Sequence, residues 1–133
     1  MRTRIDAYLT FAGNCREAML FYRDCFGGKL MLVAIKDSPV AAQWPADMQH
    51  NILQAGLQKG YLSLLGSDIA GPEGVIRGNH MSLALQCSSE EEVHHYFARL
   101  AAGGKITHAP HRFGDGTIGA LTDKFGINWV LKY

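Results

Sequence analysis

No stretch of this chain is apolar for long enough to span a bilayer, and the first residues, MRTRIDAYLTFAGN, lack the apolar core and small-residue cleavage site of a secretory leader. The expectation is a soluble, cytoplasmic protein without a membrane partner. Charge of one sign is also missing: 13 Lys and Arg against 12 Asp and Glu give a formal net charge of +1. No basic field is present to hold nucleic acid. Only three cysteines occur, Cys15, Cys25 and Cys87, and none form a CxxC pair. An odd, unpaired set reads as reduced, buried thiols that behave as small hydrophobes. Glycine-rich phosphate loops are absent too. No GxGxxG opens a helix after a strand and no GxxxxGK[ST] occurs, so the Gly-Gly pairs and Gly114-Asp115-Gly116 do not read as a nucleotide or methyl-donor loop.

What the chain does have is a repeated plan. AYLTFAGNCREAMLFYRDCFGGKL, from Ala7 to Leu30, and MSLALQCSSEEEVHHYFARLAAGGKI, from Met81 to Ile106, share an order: alternating strand, capped amphipathic helix, Gly-Gly stop. Without gaps Phe21 falls on Phe97, Arg23 on Arg99 and Gly27-Gly28-Lys29 on Gly103-Gly104-Lys105. Such a repeat implies two similar halves, with any ligand at their seam. With 133 residues and 47% hydrophobic content, the chain is expected to form one domain with a sizeable core.

Period-two alternation predicts strands over 4–11 and 79–87, with Asp6, Tyr8 and Thr10, and His80, Ser82, Ala84 and Gln86, on their polar sides. Asn14 with Glu17, and Ser89 with Glu92, have capping-box spacing ahead of helical stripes. Further strands are expected over 29–36, 52–58, 61–66, 105–109, 117–122 and 127–132, with hairpin turns at Lys59-Gly60 and Asp123-Lys124-Phe125-Gly126. Each half then reads βαβββ, as modules of about 1–68 and 79–133 joined by a linker at 69–78. The fold class is α+β. In each sheet one face takes the helix, and the polar second face argues for a cavity.

At YLTFAGNCREAMLFYRDCFGGKL, ILQAGL, LLGSD, LAAGGKI and LTDKFGINWVLKY the chain resembles the vicinal oxygen chelate superfamily of glyoxalase I, extradiol dioxygenases and bleomycin-resistance proteins. Within it the resemblance is to the PhnB-like branch, also labelled 3-demethylubiquinone methyltransferase-like. It implies paired βαβββ modules forming a curved, partly open mixed β-barrel with helices outside, a small-molecule site, and a homodimer. In the superfamily's metalloenzymes the first and last strands of each module supply the ligands. By resemblance His80 falls on one such position, Asp6 is the first-strand counterpart, and Leu64 and Val130 fall where carboxylates would be required. Neither of those two can bind a cation. The full metal constellation is therefore lacking, no cofactor is expected, and His80 with Asp6 remain weak candidates for a partial site. Where the branch has a histidine and a tryptophan, this chain has Gln54 and Gly114.

The expected cavity walls are Asp6, Tyr8, Thr10, Gln54, Leu64, His80, Ser82, Gln86, Asn128 and Val130, with His80 the candidate catalytic residue. His108 and His111 flank Pro110 in a segment expected to rim the cavity; an H-x-x-H in a loop can bind metal, but no nearby Cys or His pair completes a tetrahedral set here. Arg112 beside them suits a carboxylate or phosphate. Trp44 reads as a lid or a plug, Trp129 as packed under the helix, and His94 and His95 as solvent-facing. The leading expectation is a small-molecule-binding protein of unproven activity. The alternatives are a metal-dependent lyase, isomerase or dioxygenase of glyoxalase type, and a drug-sequestering resistance protein.

Overall fold

A computed structural model describes residues 2–133, which divide into two compact units with their boundary between Ile76 and Arg77, inside the 69–78 stretch. In the first unit β1 (Ala7–Thr10) leads to α1 (Cys15–Phe26), β2 (Lys29–Ala34), β3 (Ile52–Lys59) and β4 (Leu62–Ser67), with three short 3-10 turns between Ile35 and Met48. In the second, β5 (Leu83–Gln86) leads to α2 (Glu90–Ala101), β6 (Lys105–Phe113), β7 (Gly116–Thr122) and β8 (Asn128–Lys132). The expected βαβββ order is present in both. Each unit has a four-stranded mixed sheet, ordered β1-β4-β3-β2 and β5-β8-β7-β6, in which the leading strand runs parallel to the last.

In α1 the apolar residues Cys15, Ala18, Met19, Tyr22, Cys25 and Phe26 recur at helical spacing and are buried. They pack on Leu9, Ala55, Leu57 and Leu64, which the pairing places on one face of the first sheet. Full burial of a side chain such as Met19 or Leu57 contributes roughly 1.5–3 kcal/mol. Gly66 lets the helix approach closely, for a Cβ there would meet Cys15 Sγ at 3.2 Å and Met19 Sδ at 3.3 Å. In α2, Val93, Phe97 and Leu100 are the buried stripe, packed on the side of β7 and β8 that carries Gly119, Leu121, Trp129 and Leu131.

The two helices start differently. Ser89 Oγ accepts the Glu92 amide at 3.0 Å, as a capping box requires, and Glu92 accepts in return from the Ser88 amide and hydroxyl. Asn14 makes no side-chain cap. Its place is taken by Asp68, whose Oδ1 accepts the Gly13 and Cys15 amides at 2.9 Å each while Oδ2 accepts the Ile52 amide at 2.8 Å. A buried carboxylate at a helix N-terminus also complements the helix dipole. This corrects the Asn14–Glu17 expectation.

Both Gly-Gly pairs end their helices against a hairpin. Gly28 has φ +101°, and a Cβ there would lie 2.6 Å from the Gln58 carbonyl oxygen. Gly104 is tighter still, since a Cβ there would lie even closer to the Thr122 carbonyl oxygen. Lys59 Nζ reaches back to donate to the Phe26 carbonyl at 2.8 Å, satisfying a helix C-terminal acceptor.

Candidate functional site

Residues paired across a sheet share a face, and this separates helix-facing from uncovered side chains. In the first sheet one uncovered row runs Tyr8, Leu65, Gly56, Met31. Tyr8 is 60% exposed and Met31 43%. Thr10 and Gln54, each two residues from a member of this row, share its face, with Val33 opposite Gln54. Ser63, two residues before Leu65, is on the same face and carries a buried hydroxyl with no hydrogen-bond partner among the described residues.

In the second sheet the uncovered rows run Ala84, Val130, Ala120, His108 and Gln86, Lys132, Ile118, His111. The opposite face is fixed by Gly119, where a Cβ would meet the Phe97 ring at 2.9 Å, and by Thr117, whose hydroxyl is 3.2 Å from Glu90 of α2.

Several expected site residues stand elsewhere. Leu64 pairs with Ala7 and Leu57 and is buried on the helix face. The uncovered residue beside Tyr8 is Leu65, so Leu65 rather than Leu64 matches Val130, which stands beside Ala84. Leucine, like valine, lacks a ligand atom. Asp6 and His80 lie outside the strands expected to carry them: β1 begins at Ala7 and β5 at Leu83. Asp6 accepts from Arg4 Nε at 3.0 Å, and His80 and Ser82 are exposed in the approach to β5. Among the described residues no three His, Cys, Asp or Glu side chains are grouped to hold a metal ion.

Asn128 is structurally committed rather than free to meet a ligand. Its Nδ2 donates to the Gly78 and Met81 carbonyls at 2.8 and 3.1 Å, and its Oδ1 accepts the Thr122 hydroxyl at 2.8 Å. Arg112 pairs with Thr117 and so lies on the helix side of β6, not with the uncovered rows. His108 lies in β6 as the strand expected over 105–109 requires, and β6 continues through Pro110 and His111 to Phe113, where a loop was expected.

Trp129 is buried, and its Nε1 donates to Asp123 Oδ2 at 2.9 Å. The other oxygen of Asp123 accepts the Phe125 and Ile127 amides and organises the β7–β8 turn. Trp44 is half-buried, its carbonyl held by Gln49 Nε2 at 2.9 Å. His94 and His95 face solvent.

Cys15 and Cys87 are not poised for nucleophilic chemistry. Burial pushes Cys15 up to about 12, with the Asp68 carboxylate adding to the rise and Arg16 opposing it. Burial, and then Glu92, raise Cys87 to about 11. Tyr96 is raised in the same direction by burial and by Glu92 and Cys87. An open depression of about 330 Å³ on α2 is lined by Ser89, Glu91, Glu92, His95 and Tyr96.

Sequence comparison matches residues 3–132 to the family model described as 3-demethylubiquinone-9 3-methyltransferase. Protein YjdN of Escherichia coli K12 is 32% identical over 137 residues, covering 96% of this chain and 93% of that protein. Protein PA1353 of Pseudomonas aeruginosa superposes with a TM-score of 0.85 at 34% identity, over 98% of this chain and 96% of that one. The PhnB protein of Bacillus cereus gives 0.72 at 25% identity, over 97% and 98%. The fold is shared with solved glyoxalase-related proteins of lower identity.

Proposed function

Starting from the fact that the chain belongs to the PhnB-like family described as 3-demethylubiquinone-9 3-methyltransferase, we propose that it binds a small organic molecule on its uncovered sheet faces without a metal at the superfamily's usual positions. The observation that carries this reading is the pair Leu65 and Val130, which stand beside the leading strands where a chelating site would need carboxylates. Tyr8, Met31 and Gln54 on the face of Leu65, and Gln86 on the face of Val130, supply on each sheet apolar surface and uncharged hydrogen-bonding groups, the chemistry of an organic ligand site.

The family description names a methyl transfer. The glycine pairs here end helices rather than open them, so they do not form the turn that holds a nucleoside cofactor's phosphates or ribose. Binding is the reading the residues support; the homodimer is proposed from the family resemblance.

Elemental analysis of protein purified without chelator, together with His80→Ala and Asp6→Ala, tests the absence of the usual metal. The expected result is that no divalent ion is lost on either substitution. A stoichiometric ion that disappears with His80→Ala would establish the metal-dependent alternative instead.

A further inference from the structure

We propose that His108 and His111 form a two-imidazole site for a borderline divalent ion of the zinc, nickel or copper(II) type on the uncovered face of the second sheet. In a regular strand residues three apart point to opposite faces. Here the pairing shifts between them: His108 is opposite Ala120 and His111 opposite Ile118, three steps on β6 against two on β7. That extra residue is a bulge, and it turns both imidazoles to the same face. Pro110, inside the bulge, has no N–H to leave unpaired.

Their partners are two residues apart on β7, which sets the histidine backbones about 7 Å from one another. From that separation two imidazoles can converge on one ion at Zn–N distances of about 2.0–2.1 Å. His111 is also oriented for ligation. Its Nδ1 lies 3.0 Å from the Ala109 carbonyl oxygen, which favours a proton on Nδ1 and leaves the Nε2 lone pair for an ion.

The surroundings allow the ion and its water. Both histidines are exposed, and β6 is an edge strand with no neighbour beyond it in its sheet. The rows they end contain Ala120, Val130 and Ala84, and Ile118, Lys132 and Gln86. Lys132 is the one cation in those rows, two strands from His111 and so about 9–10 Å away. Arg112 is on the other face. Imidazole nitrogen favours zinc, nickel and copper over magnesium or calcium, with water filling the remaining positions.

The test is calorimetric titration of the chelator-stripped full chain with zinc chloride. One ion per chain is expected, with affinity falling at least about tenfold, the loss that even an outer-shell change causes, in His108→Asn and in His111→Asn. A His94→Asn/His95→Asn double variant should bind as the parent does. Nitrogen NMR of the unmutated protein should show the Nε2 resonance of His111 and a ring nitrogen of His108 moving on zinc addition. The proposal is overturned by absence of binding, by binding indifferent to both single substitutions, by loss in the His94/His95 variant, or by imidazole resonances that do not move.

Discussion

Asp68 Oδ1 accepts the backbone amide of Cys15, 53 positions earlier in the chain, at 2.9 Å, and through that bond the end of β4 fixes the start of α1. The same carboxylate holds the Gly13 and Ile52 amides, so one buried side chain ties together the β1–α1 turn, the start of β3 and the exit from β4.

Asp68→Ala leaves those buried amides without their acceptor. The expected loss is about 3–5 kcal/mol in urea unfolding, since bonds to a charged group are each worth roughly 1.5–3 and are not additive. Ser89→Ala, which removes an ordinary side-chain cap, should cost about 1 kcal/mol. Equal losses from the two would contradict the assignment.

Gly28→Ala forces a side chain into a left-handed position and against the Gln58 carbonyl. It should destabilise by more than ~1 kcal/mol. Gly71→Ala, with open space around it and no positive φ, should be close to neutral in the same assay.

The buried thiols predict alkaline weakening. Cys15 keeps its proton to about 12 and Cys87 to about 11, against 9.0 for the ordinary thiol. Their stabilising contribution is complete below pH 9 and is lost as pH rises, by about 1.4 kcal/mol per unit for each thiol until its folded pKa is reached. Urea midpoints measured between pH 8 and 10.5 should fall, and Cys15→Ala should flatten the decline. At pH 8 both thiols should react slowly with disulfide reagents while the chain is folded.

Asn128→Ala releases the Gly78 and Met81 carbonyls that its amide holds. Trypsin should then cut after Arg77 faster than in the parent, with a stability loss of about 1–3 kcal/mol. An unchanged cleavage rate would mean that the 78–81 segment is held by other contacts.

The order of elements was legible because each signal is local: alternation, helical stripes, Gly-Gly stops and the Ser89–Glu92 box lie within a few residues of one another. The Asp68 cap was not, because a partner 53 positions away leaves no spacing to read. The parity of Leu64 failed for a related reason. Leu62 and Asn128 each stand two residues past their glycines, but the pair that closes the first hairpin, Lys59 and Leu62, is on the helix face, whereas the pair that closes the second, Thr122 and Asn128, is on the uncovered face. Counting equal steps from Gly60 and Gly126 therefore lands on opposite faces. The expected strand stops at Ala109, ahead of Pro110; β6 continues through the proline with a bulge, so His111 stands on the same strand as His108. Asn128 was polar and correctly placed on the uncovered face, but pairing cannot reveal that its amide is already bonded.

The central claim is that an organic ligand binds the uncovered rows around Leu65 and Val130 without a metal. The most direct measurement is amide and methyl NMR of the full chain, in chelator, against a small-molecule fragment library. Binding fragments should shift Tyr8, Met31, Gln54 and Leu65 on the first sheet or Gln86 and Val130 on the second, and Leu65→Arg should abolish the shifts of the first sheet while the fold persists. Fragments that shift only other surfaces, or that bind only when a divalent ion is restored and His80 is intact, would contradict it.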